Sequence, residues 1–277
     1  MTVNVDRAFV RIDEGLVHYR HAGTPQSGVL PLYIVHAGPG SSTGYAPLIG
    51  ALAEQRYVVA PDTLGHGDSA PAAPDVPDVQ YYADSVCRVL DALGIDQVDY
   101  FGSHTGAHIG CELAIHHPDR VRKIIFDGLG VFEDDFRKTL LEQYAPEKQP
   151  DEFGTQFTWA WHFLRDQMIH FPYFMRDPEH RMQNDMPPAV ELNIHVIDVL
   201  KALTTYHKGY RAVFRHDVAA RLPLVKTPSL FMSSEMDPLH QYLDDAAARV
   251  PSARKHLVKR SDGLAGMADT ILSFFAN

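Results

Sequence analysis

Residues 100–110, YFGSHTGAHIG, join a predicted strand to a predicted helix through a turn with a histidine at its centre. Gly102 and Gly106 flank His104, and two glycines at these positions let the strand and the helix pack closely at a sharp turn. Such a turn holds its central residue at positive φ, which histidine tolerates better than most residues do. The helix continues to Pro118. We therefore expect the His104 side chain to stand above the carboxyl edge of a sheet, where a helix begins.

Apolar runs that alternate with helical segments extend on both sides of this turn. A hairpin with its turn at Glu14–Gly15 is predicted within FVRIDEGLVHYRHAG (9–23). Continuous apolar runs are typical of strands buried on both faces of a sheet. They are PLYIVHAG (31–38), RYVVAPD (56–62), QVDYFGS (97–103) and VRKIIFDG (121–128). This alternation predicts an α/β fold with a mostly parallel, doubly wound sheet.

The alternation breaks from about Val131 to Arg221, where the sequence is mainly helical and rich in aromatic residues. Strand patterns return at PSLFMSSEMD (228–237) and ARKHLVKRSD (253–262), before a last helix that contains GMADTILSFF (266–275). We therefore predict a core formed by residues 1–130 and 222–277. Residues 131–221 are predicted to be a helical cap inserted into that core.

Composition and charge narrow the classes of partner. The chain has 277 residues, of which 45% are hydrophobic and 22% charged, which is typical of a folded globular protein. Its formal net charge of -10 disfavours nucleic acids and anionic membranes as partners. The first residues have no basic stretch followed by an apolar run, so we expect no signal peptide and a cytoplasmic location. The oligomeric state is left open, with a homodimer as one arrangement.

Three motifs occur in the order and spacing that the α/β-hydrolase superfamily shows. HAGPGSS (36–42) resembles the oxyanion loop of proline iminopeptidases and of C–C and ester hydrolases. DTLGHGDS (62–69) resembles the glycine-rich loop that follows the next strand, and GSHTG (102–106) resembles the nucleophile elbow. The resemblance implies an α/β-hydrolase fold with an inserted cap, hydrolysis of a small carbonyl compound and no cofactor. At the elbow, however, His104 replaces the usual serine, cysteine or aspartate.

The resemblance also implies an oxyanion hole beside the elbow. Its donors would be the backbone N–H groups of Ala37 and Thr105, both directed at the same point. Gly38 keeps the loop after Ala37 small enough for that approach. For His36 a structural role is favoured, in which its ring anchors the oxyanion loop by hydrogen bonds, and His66 is expected to brace its own glycine-rich loop in the same way.

Two members of a serine hydrolase triad are absent. The carboxylate has two usual positions in this superfamily, and Asp127 and Asp237 fill them. The triad histidine is expected after the last strand, but VKRSDGLAGMAD (258–269) contains none, and Leu264 or a neighbour takes its place. Since the serine is replaced by His104 as well, the site is either rebuilt around new chemistry or has drifted after loss of function.

A rebuilt site would use His104 as a general base. The imidazole is longer than a serine side chain, so its distal nitrogen would reach the volume of the usual triad histidine. There it could meet the carboxylate of Asp127, Asp237 or Asp262. A carboxylate that holds one ring nitrogen fixes the tautomer and raises the basicity of the other nitrogen.

The predicted cap supplies candidate binding residues. Trp159 and His162 share one face of a helix at 3.6-residue spacing, and Arg165 could hold a carboxylate or carbonyl of the substrate. The alternative is that the aromatic residues pack within the cap while the charges face solvent. No pair of histidines has zinc-type helical spacing with a supporting third ligand, and no glycine-rich phosphate loop is present, so we predict neither a metal nor a nucleotide cofactor.

Two classes of function fit these features. The first is an enzyme that hydrolyses an ester, a lactone or a β-dicarbonyl compound with His104 as base, or a lyase that uses the same site. The second is a retired hydrolase fold that binds a small ligand in a covered cavity.

Overall fold

The computed structural model describes residues 3–276, in which eight strands form one sheet in the order β1-β2-β4-β3-β5-β6-β7-β8. The strands β1 and β2 form the predicted hairpin, β2 runs antiparallel to β4, and all further pairs are parallel. The predicted mostly parallel sheet is therefore confirmed. The strands are β1 (Asp6–Ile12), β2 (Gly15–Ala22), β3 (Leu32–Val35), β4 (Val58–Pro61), β5 (Val98–Ser103), β6 (Val121–Asp127), β7 (Ser229–Ser234) and β8 (Arg254–Val258).

Helices cover both faces of the sheet because adjacent strand residues point to opposite sides. In β3, Tyr33 and Val35 belong to the apolar cluster under one set of helices, while Leu32 and Ile34 belong to the cluster on the other face. The first cluster is covered by α2 (Val79–Leu93), α3 (Thr105–His116) and α9 (Leu243–Ala248). The second is covered by α1 (Ala46–Leu52) and α10 (Gly263–Ala276). The doubly wound arrangement follows from this division.

Between β6 and β7 the chain forms a helical segment with an apolar cluster of its own. Its helices are α4 (Asp134–Gln143), α5 (Thr155–Gln167), α6 (Ala189–Lys201), α7 (Tyr206–Arg215) and α8 (Val218–Arg221). Tyr144 lies at the centre, with ring centroids 5.2 Å from Tyr210 and 5.4 Å from Phe214. Over residues 3–276, no helix is both long enough and apolar enough to cross a membrane.

The turn between β5 and α3 has the predicted sharp geometry. His104 has φ 49°, and in residues 3–276 it is the one residue other than glycine with positive φ. A Cβ at Gly102 would lie 2.3 Å from the Gly106 carbonyl oxygen, and a Cβ at Gly106 would lie 2.2 Å from the Val35 carbonyl oxygen. Both positions therefore require glycine, because strand and helix approach too closely for any side chain.

A buried ion cluster ties the opposite edge of the sheet together. Asp99 in β5 is fully buried, and its carboxylate accepts hydrogen bonds from Arg56 at 2.6 Å and from Arg122 at 2.5 and 2.9 Å. The two guanidinium groups offset the free-energy cost of burying the Asp99 carboxylate. Removing the carboxylate would leave the positive charge of buried Arg56 without a counter-charge.

Candidate active site

The His104 ring forms a short hydrogen bond to Asp237. Its Nε2 lies 2.6 Å from Oδ2 of Asp237, which follows β7. The other carboxylate oxygen of Asp237 accepts a hydrogen bond from the Leu239 amide at 2.8 Å, and this bond fixes the orientation of the carboxylate. Gly128 makes room for the pair, because a Cβ there would lie 2.6 Å from Nε2 of His104 and 2.8 Å from Oδ2 of Asp237.

The other two candidate carboxylates have different partners. Oδ2 of Asp127 accepts a hydrogen bond from the Ser103 hydroxyl at 2.8 Å, and its main-chain carbonyl accepts one from the His104 amide at 2.8 Å. Asp262 accepts a hydrogen bond from the Lys259 amide at 2.9 Å, just before α10 begins. The expectation that Asp262 could meet His104 is therefore wrong, since its carboxylate caps a helix instead.

The two carboxylates beside His104 control its charge. Burial opposes protonation of the ring, but the charge and hydrogen bond of Asp237, together with the charge of Asp127, raise the pKa of His104 to about 9. Burial, followed by the charge of Asp237, raises the pKa of Asp127 to about 6. At neutral pH the dyad is therefore mainly an imidazolium–carboxylate pair, in which Nε2–H donates to Asp237.

The backbone donors predicted for the oxyanion hole lie on the wall of the same cavity. Thr105 is the first residue of α3, so its N–H is one of the helix N-terminal donors without an intrahelical partner. The Ala37 amide donates to the Tyr45 hydroxyl at 3.4 Å, which is long for such a bond. The loop is held against the elbow by a hydrogen bond of 3.2 Å from the Gly38 amide to the Thr105 hydroxyl.

His36 lies behind this loop and outside the cavity lining. Its Nε2 accepts a hydrogen bond from the Thr63 amide at 2.9 Å, so the ring proton of the neutral form is on Nδ1, which lies 2.9 Å from the Ala37 carbonyl oxygen. These contacts connect the oxyanion loop to the glycine-rich loop, as the anchoring role requires. His66 is also buried, and its ring packs edge-on against His36.

The cavity over the elbow measures about 550 Å³, within the range of small-molecule sites. Apolar side chains form most of its wall, including Phe132, Leu164, Phe171, Val213 and Phe214. Among the described residues that line it, none is a lysine or an arginine. The cavity therefore has no side chain with a permanent positive charge to pair with a substrate carboxylate.

The candidate binding residues of the inserted segment do not reach the cavity. Trp159 stacks on Phe163 with ring centroids 4.9 Å apart, and His162 is exposed to solvent. Arg165 donates to Asp166 at 2.8 Å. None of the three lines the cavity, so the expectation that they bind substrate is corrected. Trp159 packs within the inserted segment, whereas His162 and Arg165 lie toward solvent.

Sequence reasoning missed a second histidine on the cavity wall. His108 lies one helical turn after His104 on α3, and Glu112 follows one turn later, in a helix whose other inner residues are apolar or small. Polar residues spaced by four positions in a buried helix are unusual and could have indicated a functional face.

Within residues 3–276, two clusters each bring three possible metal ligands within 4.8 Å of one another: Cys111, Glu112 and His216 in the first, and His18, Asp62 and Asp68 in the second. In the first cluster both Glu112 oxygens already hold Arg221, and burial raises the pKa of the Cys111 thiol, which keeps it protonated. In the second, Asp62 accepts hydrogen bonds from Ser42 and the Asp68 amide as well as contacting His18. These contacts are those of hydrogen-bond networks rather than of metal centres.

Comparison with curated proteins finds partial matches. A 2-hydroxymuconate semialdehyde hydrolase of Pseudomonas sp. (strain CF600) is 40% identical over 105 residues, which are 35% of this chain and 36% of the relative. A putative carbamate hydrolase RutD of Rhizobium rhizogenes is 26% identical over 219 residues, 76% of each chain. The chain thus spans little more than a third of the first of these relatives.

Solved structures match over nearly the full length. Epoxide hydrolase A from Mycobacterium thermoresistibile is 17% identical with a TM-score of 0.76 and covers 99% of each chain. The enol-lactonase from Burkholderia xenovorans LB400 is 19% identical with a TM-score of 0.70 and covers 98% of this chain and 100% of its own. A family model described as alpha/beta hydrolase fold matches residues 31–262. With that match over most of its length, the chain belongs to the α/β-hydrolase fold family.

Proposed function

We propose that this protein hydrolyses a small, uncharged carbonyl compound, such as an ester, a lactone or a β-dicarbonyl, without a serine nucleophile. The observation that carries the proposal is the 2.6 Å contact between Nε2 of His104 and Asp237, at an elbow that opens into a cavity of about 550 Å³. The relatives support the reaction class, because their names describe hydrolases of small molecules.

In this proposal His104 acts as the general base. Asp237 holds the Nε2 proton of the ring, so the proton that the cationic ring loses is the one on Nδ1. The lone pair on Nδ1 then takes a proton from water as the water oxygen adds to the carbonyl carbon. The C=O electron pair moves onto the oxygen, where the Ala37 and Thr105 amides stabilise it. When this electron pair re-forms the C=O bond, the bond to the leaving group breaks, and the leaving group takes the proton from Nδ1. General-base catalysis contributes ~10²- to 10⁴-fold, and one oxyanion donor contributes ~10²- to 10³-fold.

The lining of the cavity supports an uncharged, partly apolar substrate. Its wall is largely aromatic and aliphatic, and no lysine or arginine of the described chain lies on it. A substrate carboxylate would have to enter beside the Asp237 and Asp127 carboxylates without a cationic side chain other than His104. Neutral esters should therefore be preferred over esters that carry a second, ionised carboxyl group.

The test is turnover of phenyl acetate, dihydrocoumarin and benzoylacetone at pH 9.5, where His104 is largely neutral. His104→Asn is the informative variant, because asparagine tolerates positive φ but supplies no base. It should lower kcat/KM by ~10²-fold or more. His117→Asn is the matched control, since His117 pairs with Asp84 on the surface at 2.7 Å and is not part of the cavity. Equal rates for the two variants would contradict the proposal.

The second candidate is a binding protein that has kept the cavity and lost catalysis. The absence of both the serine and the C-terminal triad histidine favours it. Tight binding of the same compounds with no turnover by the wild type at any pH would support it.

A further inference from the structure

We propose that His108 is a second acid–base residue of the cavity, with His216 and Glu112 behind it as a proton relay. His108 lines the cavity, and its Nδ1 lies 2.9 Å from Nδ1 of His216. Nε2 of His216 in turn lies 2.7 Å from Oε1 of Glu112. This inference rests on the carbonyl chemistry proposed above, but the relay itself can be tested without turnover.

The hydrogen bonds fix where the protons lie. Burial opposes the charge on Glu112, but hydrogen bonds from His216 and Arg221 lower the pKa of Glu112 to about 2, so its carboxylate accepts and Nε2 of His216 donates. In neutral His216 the Nδ1 atom is then an acceptor, and the proton between the two Nδ1 atoms belongs to His108. Nε2 of neutral His108 is therefore unprotonated and can accept a proton from the cavity.

The proton step is balanced within these groups. A water bound in the cavity gives a proton to Nε2 of His108 while its oxygen adds to the carbonyl carbon and the C=O electron pair moves to the oxygen. The Nδ1 proton of His108 passes to Nδ1 of His216, which becomes an imidazolium hydrogen-bonded to Glu112. As the tetrahedral adduct collapses, the same transfers in reverse deliver the proton to the leaving group.

Arg221 gives Glu112 a counter-charge that is independent of His216. Its guanidinium donates to both Glu112 oxygens at 2.8 Å, so the carboxylate already has a counter-charge. His216 therefore does not need to be cationic to balance Glu112, and it can receive a proton during the reaction. If the network served only to join α3 to α7 and α8, none of its residues would need to lie on the cavity wall. His108 does lie there.

The charges around His108 separate its role from that of His104. Burial, then the charges of His216 and His104, hold the pKa of His108 well below its usual range, while Glu112 opposes them. His108 is thus neutral at a pH where His104 is cationic, and two groups with diverging pKa values divide acid and base roles. The other titratable groups on the cavity wall are Tyr45, Tyr144, Tyr210, His195 and Asp237, and burial raises the pKa of all three tyrosines.

The first experiment determines the tautomers by ¹⁵N NMR on histidine-labelled protein at pH 7.5. His108→Gln assigns the His108 signals. We expect neutral His108 with its proton on Nδ1 and neutral His216 with its proton on Nε2. A proton on Nε2 of His108, or a cationic His216, would overturn the relay, and neither result depends on whether a substrate is known.

The second experiment compares kcat/KM of wild type and His108→Gln between pH 6 and 10 on the best of the three probes. The variant should lose about half of the rate near pH 7, where ~1% of His104 is neutral, and almost none above pH 9, where neutral His104 is the dominant base. His117→Gln should match the wild type at every pH. A uniform loss across the range, or a loss that tracks a lower folded fraction by circular dichroism, would indicate a structural role and overturn the proposal. Should the wild type convert none of the probes, the proposed function fails, and the tautomers alone decide the relay.

Discussion

Replacing Asp237 with asparagine should lower the pKa of His104 from about 9 to near or below its ordinary value of 6.5. Asparagine has the shape of aspartate, so the cavity is retained while the charge and the strong acceptor are lost. Burial of the ring then acts against protonation, with only the Asp127 charge in its favour. At pH 7.5 the protonated fraction of His104 should fall from about 97% to about 10% or less.

The same change should alter how stability depends on pH. In the wild type the pKa of His104 is raised on folding, so its contribution is complete below pH 6.5 and is lost as pH rises to about 9. A shift of this size corresponds to ~3.4 kcal/mol. The His104 side chain is 34% exposed, so solvent screening reduces the expected contribution to ~1 to 2 kcal/mol.

The assay is an NMR titration of the His104 ring together with urea unfolding at pH 6.0 and 9.5. The wild type should lose ~1 to 2 kcal/mol of unfolding free energy from this group between the two pH values, and Asp237→Asn should lose less. Asp262→Asn is the control, since the Asp262 carboxylate accepts a hydrogen bond from the Lys259 amide and the change should leave the pKa of His104 unchanged. A pKa above 8 in Asp237→Asn would refute the reasoning, because the raised pKa would then come from another source.

Three further predictions concern the elbow and the core. Gly128→Ala should separate His104 from Asp237 and so lower the pKa of His104 in an NMR titration. Gly94→Ala is the control, since Gly94 also has positive φ but a Cβ there would have nothing within 4 Å. It should lower the unfolding free energy in urea only by backbone strain of ~1 kcal/mol. His104→Ser should not yield an efficient esterase, because no triad histidine follows β8. A high rate on phenyl acetate would contradict this and show that another histidine acts as the base for the serine. Asp99→Asn should lower the unfolding free energy by ~3 to 5 kcal/mol, since it leaves buried Arg56 uncompensated, and a loss below 1 kcal/mol in urea unfolding would contradict that value.

The sheet and the elbow could be predicted because each rests on local sequence. Apolar runs such as VRKIIFDG determine strands buried on both faces. The spacing of Gly102 and Gly106 indicates the turn by itself, although Gly106 is also needed for a close approach to the distant Val35 carbonyl oxygen. A positive φ at position 104 follows from the same local constraint. The fold therefore required no knowledge of distant contacts.

The partners of His104 and the cavity wall depend on contacts between segments far apart in the chain. Asp237 is 133 residues from His104, and three carboxylates were compatible with the sequence until the loop after β7 was placed. The pattern of α5 indicates an aromatic face but not whether that face turns toward the elbow or into its own segment. Trp159 could therefore be predicted as a binding residue although it packs on Phe163 within the segment. His216 contacts His108 across 108 residues, and no local pattern indicates that pairing.

The most direct test of the central claim is the pH dependence of kcat/KM for wild type and His104→Asn on a carbonyl probe. The wild-type rate should rise through an apparent pKa of about 9 as His104 loses its proton, and the variant should lack that rise. An equal rise in the variant, or a wild-type profile without it, would show that the His104–Asp237 pair is not the base.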